Sequence, residues 1–311
     1  MRNFRHDSHR PSRSSPRPQH PGPADDAERR FLSATAVDPA PRIRLEDGSQ
    51  ELTMRAMDLI CPIGMGQRGL IVAPPGSGKT TFLKHICQAV AKSQPKMKVY
   101  CLLVDERPEE VTDFKRSVPA EVHASSSDET YEHHIQVANL LMQQAVREAG
   151  AGEQVLVVID SLTRLARVHN AQQPSSGRTL SGGMDARSLE VPRRIFGMAR
   201  KIENGGSLAI LGTLLVDTGS RMDQVIFEEF KGTGNMEIVL AREISNQRIF
   251  PAIDIHKSAT RKEELLLDPG ELEPVRRIRR MLAALGPVEA AKELIKRLQQ
   301  YPTNKALLQA Q

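Results

Sequence analysis

Residues 73–80 read Ala-Pro-Pro-Gly-Ser-Gly-Lys-Thr and directly follow the apolar run Gly69-Leu70-Ile71-Val72. A buried strand that turns through glycines into a helix opening Lys-Thr is an arrangement that grips a polyphosphate. Gly76 and Gly78, with Ser77 between them, let backbone N–H groups turn toward the anion. Lys79 reaches the outer phosphates. Thr80, followed by Thr81, offers a hydroxyl to Mg²⁺. A helix starting near Lys79 adds its positive end to the same anion. The first glycine of the usual G-x-x-x-x-G-K-[ST] pattern is replaced by Ala73. A chance Gly/Pro-rich turn is the competing reading. The strand before, the helix after and the intact Lys-Thr pair weigh against it.

Other apolar runs set the fold class. Those at 70–72, 99–104, 155–159, 208–216 and 238–241 read as strands. Phe82, Leu83, Ile86 and Val90 recur at helical spacing, as do Ala138, Leu141, Met142, Ala145 and Ala149 ahead of Gly150. Pro192 opens a further predicted helix that stops at Gly205-Gly206. Ala291, Leu294, Ile295 and Leu298 form one stripe of a C-terminal helix. This alternation predicts an α/β fold over residues 41–311: a mostly parallel sheet flanked by helices, with helices at the C-terminus. Residues 1–40, rich in Arg, Ser and Pro and poor in apolar residues until Phe31, are expected to be disordered.

Composition excludes several classes. No apolar run approaches the roughly 18–20 residues of a membrane helix. Cys61, Cys87 and Cys101 are isolated, which argues against a disulfide framework or zinc site and suits a reducing cytoplasm. His133 and His134 lack metal-ligand spacing and read as a solvated helix start. The net charge is +5, but the first 30 residues carry seven arginines against four acids, leaving +2 for the other 281. The folded part is nearly balanced, so any nucleic-acid contact must rest on local clusters. The basic tail reads either as a non-specific RNA or DNA tether or as an inert solubilising segment.

Ligands of parallel sheets gather at the carboxyl ends of strands, and two predicted strands end in acids. The run 155–159 is closed by Asp160, which can hold a Mg²⁺-bound water opposite Thr80 or cap the next helix. The run 99–104 leads into Asp105-Glu106-Arg107. Glu106 is placed to orient or deprotonate a water attacking the terminal phosphate. Arg107 can brace that carboxylate or contact phosphate. Two adjacent acids also leave a surface acidic turn open.

The segments GQRGLIVAPPGSGKT, LLVDERPEEVTDF, VIDSLTRLARVHN, DTGSRMDQVIFEEFKGTGNMEI and RIFPAIDIHKSATRKEELL resemble the ATPase domain of the Rho family of bacterial transcription termination factors. The resemblance runs from about Leu52 to the C-terminus. It implies a RecA-like fold and a hexameric ring, with ATP bound between subunits. Single-stranded RNA would be drawn through the pore and transcripts released from RNA polymerase. Position by position, it implies that Lys79, Thr80 and Asp160 handle phosphate and Mg²⁺ and that Glu106 is the catalytic carboxylate. Arg261, in Ser258-Ala259-Thr260-Arg261-Lys262, matches the arginine that enters the neighbour's site. Arg248 matches a second arginine at that interface, and Phe250 the residue packed on adenine. Gly64, Met65, Gly66, Gln67, Arg68 and Gly69 are assigned to the nucleotide site on the same basis. Two loops are expected to ring the pore. One carries Gly177, Arg178, Thr179, Gly182 and Gly183, the other Thr218, Gly219, Ser220 and Arg221. Together they would hold a single strand through phosphate and 2′-OH groups.

Departures from the family pattern matter too. Gly76 stands where Rho proteins typically carry lysine. Typical members begin with an RNA-binding domain containing an OB-like barrel, for which 40 residues are too few. An expected alternative is therefore a truncated regulator that binds RNA or joins rings of full-length Rho. A further alternative is a rotary or secretion-type motor ATPase subunit, which shares the core fold.

Overall fold

The computed structural model describes residues 23–46, 51–172, 179–185 and 187–310. The chain opens with helix α1 (Pro23–Ser33) and short strands β1 (Ala36–Val37) and β2 (Arg42–Ile43). Helix α2 (Leu52–Ile60) and strand β3 (Ile63–Gly64) lead into β4 (Arg68–Ala73) and α3 (Lys79–Ser93). Next come β5 (Lys98–Glu106), α4 (Pro108–Ser117), β6 (Glu121–Ser126), α5 (Tyr131–Gly150), β7 (Gln154–Asp160) and α6 (Leu162–Gln172). A small hairpin, β8 (Thr179–Leu180) with β9 (Met184–Asp185), precedes α7 (Glu190–Gly197) and β10 (Arg200–Ile202). The second half of the sheet is β11 (Ser207–Leu215), α8 (Arg221–Lys231), β12 (Met236–Val239), α9 (Arg242–Asn246) and β13 (Ala259–Thr260). Helices α10 (Pro269–Ala283), α11 (Pro287–Gln300) and α12 (Asn304–Gln309) close the chain.

The main sheet runs β13-β12-β4-β11-β7-β5-β6, parallel from β12 through β6. Antiparallel β10 joins β11, and β1 joins β10. Strand side chains alternate between two cores, as a sheet covered on both faces requires. Ile71, Cys101, Leu103, Leu156, Val158 and Leu211 face α2, α3 and the C-terminal helices. Leu70, Leu102, Val104, Val157, Ile159 and Ile210 face α5 to α8. The P-loop NTPase fold of the RecA type, with C-terminal helices, is thus present as expected. Buried Arg55 of α2 ties that helical layer on, donating to the Leu298 carbonyl at 2.8 Å and to Asn304 Oδ1 at 3.3 Å.

Three local expectations are corrected. Residues 23–40, expected to be disordered, contain α1 and β1, while residues 1–22 lie outside the described residues. Phe31 is fully buried against the α5 side of the sheet, and α1 lies so close to α5 that a Cβ on Gly150 would fall 2.2 Å from the Ala27 carbonyl. One aromatic and a partner helix distant in sequence outweigh local composition. The helix expected from Pro192 to Gly205 ends at Gly197, because residues 200–202 are drawn into the sheet beside β11. Of the paired histidines, His133 is half-buried but His134 is 1% exposed, since α5 turns it inward.

Candidate active site

The strand order brings the ends of β4, β11, β7 and β5 side by side. Ala73, at the first position of the phosphate-loop motif, is still a strand residue whose carbonyl accepts from Val216 N–H at 3.4 Å. It has no left-handed φ, so glycine is not required there. The loop turns instead at Gly76 (φ +78°) and Gly78 (φ +89°), where L side chains are strained. Ser77 between them is buried and bonds back to the Pro74 carbonyl through its N–H (3.3 Å) and hydroxyl (2.8 Å). Phe250 lies across the loop: a Cβ on Gly78 would sit 3.3 Å from its half-exposed ring. Lys79, Thr80 and Thr81 form the first turn of α3.

Lys79 Nζ stands 2.5 Å from Asp160 Oδ1 and 3.6 Å from Glu106 Oε1. Both acids are almost fully buried. The Thr213 hydroxyl of β11 donates to the same Asp160 oxygen at 2.8 Å. Glu106 is aimed by a bulge: Asp105 takes φ +56°, and the β5–β6 register shifts between Val104 and Glu106. The bulge resolves the two adjacent acids, turning Glu106 inward and leaving Asp105 half exposed. Glu106 Oε2 lies 3.3 Å from Arg164 Nη2 of α6, and Arg164 also donates to the Asp105 carbonyl. Burial, and then the Asp160 charge, push the Glu106 carboxyl up to about 7, against the pull of Lys79 and Arg164. Its Oε1 is buried without a hydrogen-bond partner. A buried carboxylate with one free oxygen, beside a lysine and a turn of exposed backbone donors, can accept a proton from a water placed next to an anion.

Arg164 and Thr213 were missed from sequence. Arg164 lies four residues beyond Asp160, one helical turn along, and that spacing is the one signal that pointed to it. Arg107, expected to brace Glu106 or to contact phosphate, does not reach Glu106: it points outward and pairs with Glu110 at 3.4 Å, because α4 starts there and carries it away. Gly64, Met65, Gly66, Gln67, Arg68 and Gly69, expected at the nucleotide, are not beside this copy's own phosphate loop. They lie at the opposite end of β4 from the chain's own phosphate loop, and Gly69 to Ala73 alone spans about 13 Å of strand. Within one copy their contacts are architectural. Gln67 accepts from Gly64 N–H (3.0 Å) and donates to Asn235 (2.6 Å), and Arg68 donates to the Thr233 and Ala199 carbonyls. Gly66 (φ +91°) packs on the Lys201 backbone, and Gly69 faces Leu211 and Met236.

The remaining expected residues fall at two other places. Arg261 is exposed just beyond β13, where Thr260 pairs with Met236, itself opposite Gly69. That puts Arg261 at the far end of the sheet from its own loop. Arg248 is exposed on the segment that carries Phe250. Gly177 and Arg178 lie outside the described residues. Thr179 is in β8, and the turn at Gly182 and Gly183 reaches the second loop: a Cβ on Gly182 would lie 2.8 Å from the Arg221 backbone. Thr218 donates to Asp223 (2.6 Å), Ser220 caps α8, Gly219 takes φ +78°, and Arg221 is exposed. Arg167 of α6 clamps the same Asp223 through two bonds of 2.8 and 2.5 Å.

The family profile of the ATP synthase alpha/beta family, nucleotide-binding domain, matches residues 53–260. The chain is 50% identical over 282 residues to transcription termination factor Rho of Aquifex aeolicus, covering 90% of this chain and 65% of that protein. It is 49% identical to Rho of Haemophilus influenzae, covering 88% of this chain and 66% of the relative. With Rho of Karelsulcia muelleri it is 48% identical over 88% of this chain and 73% of the relative. The chain thus spans about two thirds of the length of these relatives. Among solved structures, a prototypical ATPase from the type III secretion system of pathogenic bacteria superposes with a TM-score of 0.70 at 22% identity, over 90% of this chain and 86% of that one. The assembled ATPase EscN of the enteropathogenic E. coli type III secretion system gives 0.68 at 22%, over 86% of this chain and 68% of that one. At that identity these two show the fold alone. The identity to these three Rho proteins over most of its length places this chain in the Rho family of transcription termination factors.

Proposed function

We propose that this chain hydrolyses ATP at the interfaces of a hexameric ring and uses the turnover to move along single-stranded RNA, in the service of transcription termination. The observation that carries the reading is the convergence of Lys79, Asp160, Glu106 and Arg164 at the phosphate loop. Gly76 and Gly78 present backbone donors to the phosphates, and Lys79 leaves Asp160 for them. Ionised Glu106, held by Arg164, takes the proton of the attacking water.

The donor set also suits Mg²⁺. Thr80 and Asp160 supply one hydroxyl and one carboxylate, fitting a cation that keeps several waters and takes phosphate oxygens as further ligands. When bound, it neutralises charge on the terminal phosphates.

Arg261 supports a shared site, because an exposed arginine that cannot reach its own loop is free to enter a neighbour's. Such an arginine is worth roughly 10³–10⁵ in rate. The half-exposed ring of Phe250 beside Gly78 supports a role in stacking on adenine. RNA coupling is supported by α6. Arg164 on this helix holds Glu106, and Arg167 holds Asp223 and through it Thr218 of the loop ending at Arg221. A strand that shifts this loop therefore pulls on the helix that aims the catalytic carboxylate. The test is ATP turnover of the purified chain with and without single-stranded RNA. Stimulation by RNA is expected, while hydrolysis indifferent to RNA favours the secretion-motor reading instead.

A further inference from the structure

The phosphate loop is held from outside by one segment. Arg242, the first residue of α9, donates through Nη2 to the Pro75 carbonyl at 3.2 Å. Phe250, eight residues on, lies over Gly78. The two contacts bracket the loop. Between them Gly76 is exposed, in the left-handed region, with nothing within 4 Å of where its Cβ would be. The crest of the loop thus has little packing of its own to fix it, and a glycine in such a turn carries the largest conformational freedom of any residue.

The segment that reaches the loop is itself anchored. Ile244 is fully buried, in a small cluster with Ala241, Ala252 and Ala291 of α11. The Ala241 N–H donates to the Ala252 carbonyl at 2.8 Å. The segment starts where β12 ends, one strand from β4. Arg242 therefore leaves a rigid base and meets the loop at its carbonyl crest, beside a cleft of about 1040 Å³ that runs from Pro74 to the loop at 217–221.

We infer that Arg242 is a positioning residue for the nucleotide site. By holding the Pro75 carbonyl outward, it keeps the following N–H groups turned in toward the phosphates, and so links the C-terminal helical layer to nucleotide affinity. The inference rests on the phosphate loop binding nucleotide, as proposed above. A guanidinium bonded to a neutral carbonyl contributes by ordering the loop before the ligand arrives, so its loss acts on binding rather than on the chemical step.

The test compares the full chain with Arg242→Ala and Arg242→Lys, reading the affinity for a fluorescent ADP analogue together with KM and kcat for ATP, with Lys79→Ala as the control. The expected result for Arg242→Ala is a five- to tenfold weaker affinity and a matching rise in KM. Its kcat should stay within about twofold, and its melting temperature should be unchanged. Arg242→Lys, which keeps one donor, should recover most of the affinity. Unchanged affinity in Arg242→Ala, a loss confined to kcat, or a lysine variant as impaired as the alanine one overturns the assignment. If the unaltered chain binds no analogue at all, the nucleotide-site reading fails rather than the role of Arg242.

Discussion

At the scale of single residues, the site is a balance of charge around one buried carboxylate. Glu106 is pushed up to about 7 by burial and Asp160. As a general base it works only when ionised, so turnover should fall as pH drops below about 7, approaching tenfold per pH unit. A pH–rate profile that stays flat between 5.5 and 7.5 contradicts that role. Glu106→Gln should lower kcat by roughly 10²–10⁴ with nucleotide affinity retained. Arg164 pulls the same carboxyl downward, so Arg164→Ala should cut kcat by roughly 10–10² and move the acid limb to higher pH. An unshifted limb removes Arg164 from the site. The meeting of Lys79, Asp160 and Glu106 was legible in part, because Lys79 opens the helix after the phosphate loop and the two acids close apolar strand runs, while the choice between Asp105 and Glu106 needed the bulge. Arg164 and Thr213 were not, since their partners come from other strands. Arg107, expected to brace Glu106 or to contact phosphate, is turned away from Glu106 by the start of α4, so the second role alone stays as the proposal.

At the scale of elements, strands were the most readable, because alternating burial on two cores leaves continuous apolar runs. The segment at 23–40 was not, because its order depends on α5, more than a hundred residues away. Phe31→Ala should therefore destabilise the fold by about 3–5 kcal/mol, the usual cost of removing a buried phenylalanine. A denaturant titration that finds the variant as stable as its parent means that α1 is not part of the core. The helix expected beyond Gly197 failed for a related reason: antiparallel pairing of residues 200–202 with β11 overrode local helical preference. In the proposed mechanism helix α6 is the element that joins the phosphate site to the loop at 217–221. Arg167→Ala should leave basal hydrolysis within about threefold, since the arginine touches no catalytic group, while reducing RNA stimulation by roughly tenfold, on the scale of a charge-assisted bond. Equal loss of basal and stimulated rates indicates that the Arg167–Asp223 pair is merely structural.

At the scale of the whole molecule, the phosphate loop and Arg261 lie at opposite ends of β4, so in the proposed ring each copy lends its arginine to a neighbour's loop. No helix among the described residues is long and apolar enough to cross a membrane, and in the proposed ring the loops at 179–183 and 218–221 form the track for RNA. The nucleotide contact expected of residues 64–69 stays a proposal, since they lie at the same end of β4 as Arg261, away from this copy's own loop. The most direct test of the shared site is the Arg261→Ala variant, assayed for ATP turnover with RNA present and for binding of a fluorescent nucleotide. Turnover should drop by roughly 10³-fold or more while affinity stays within about threefold of the parent. A variant that hydrolyses ATP at the parental rate shows that the site is complete within one copy.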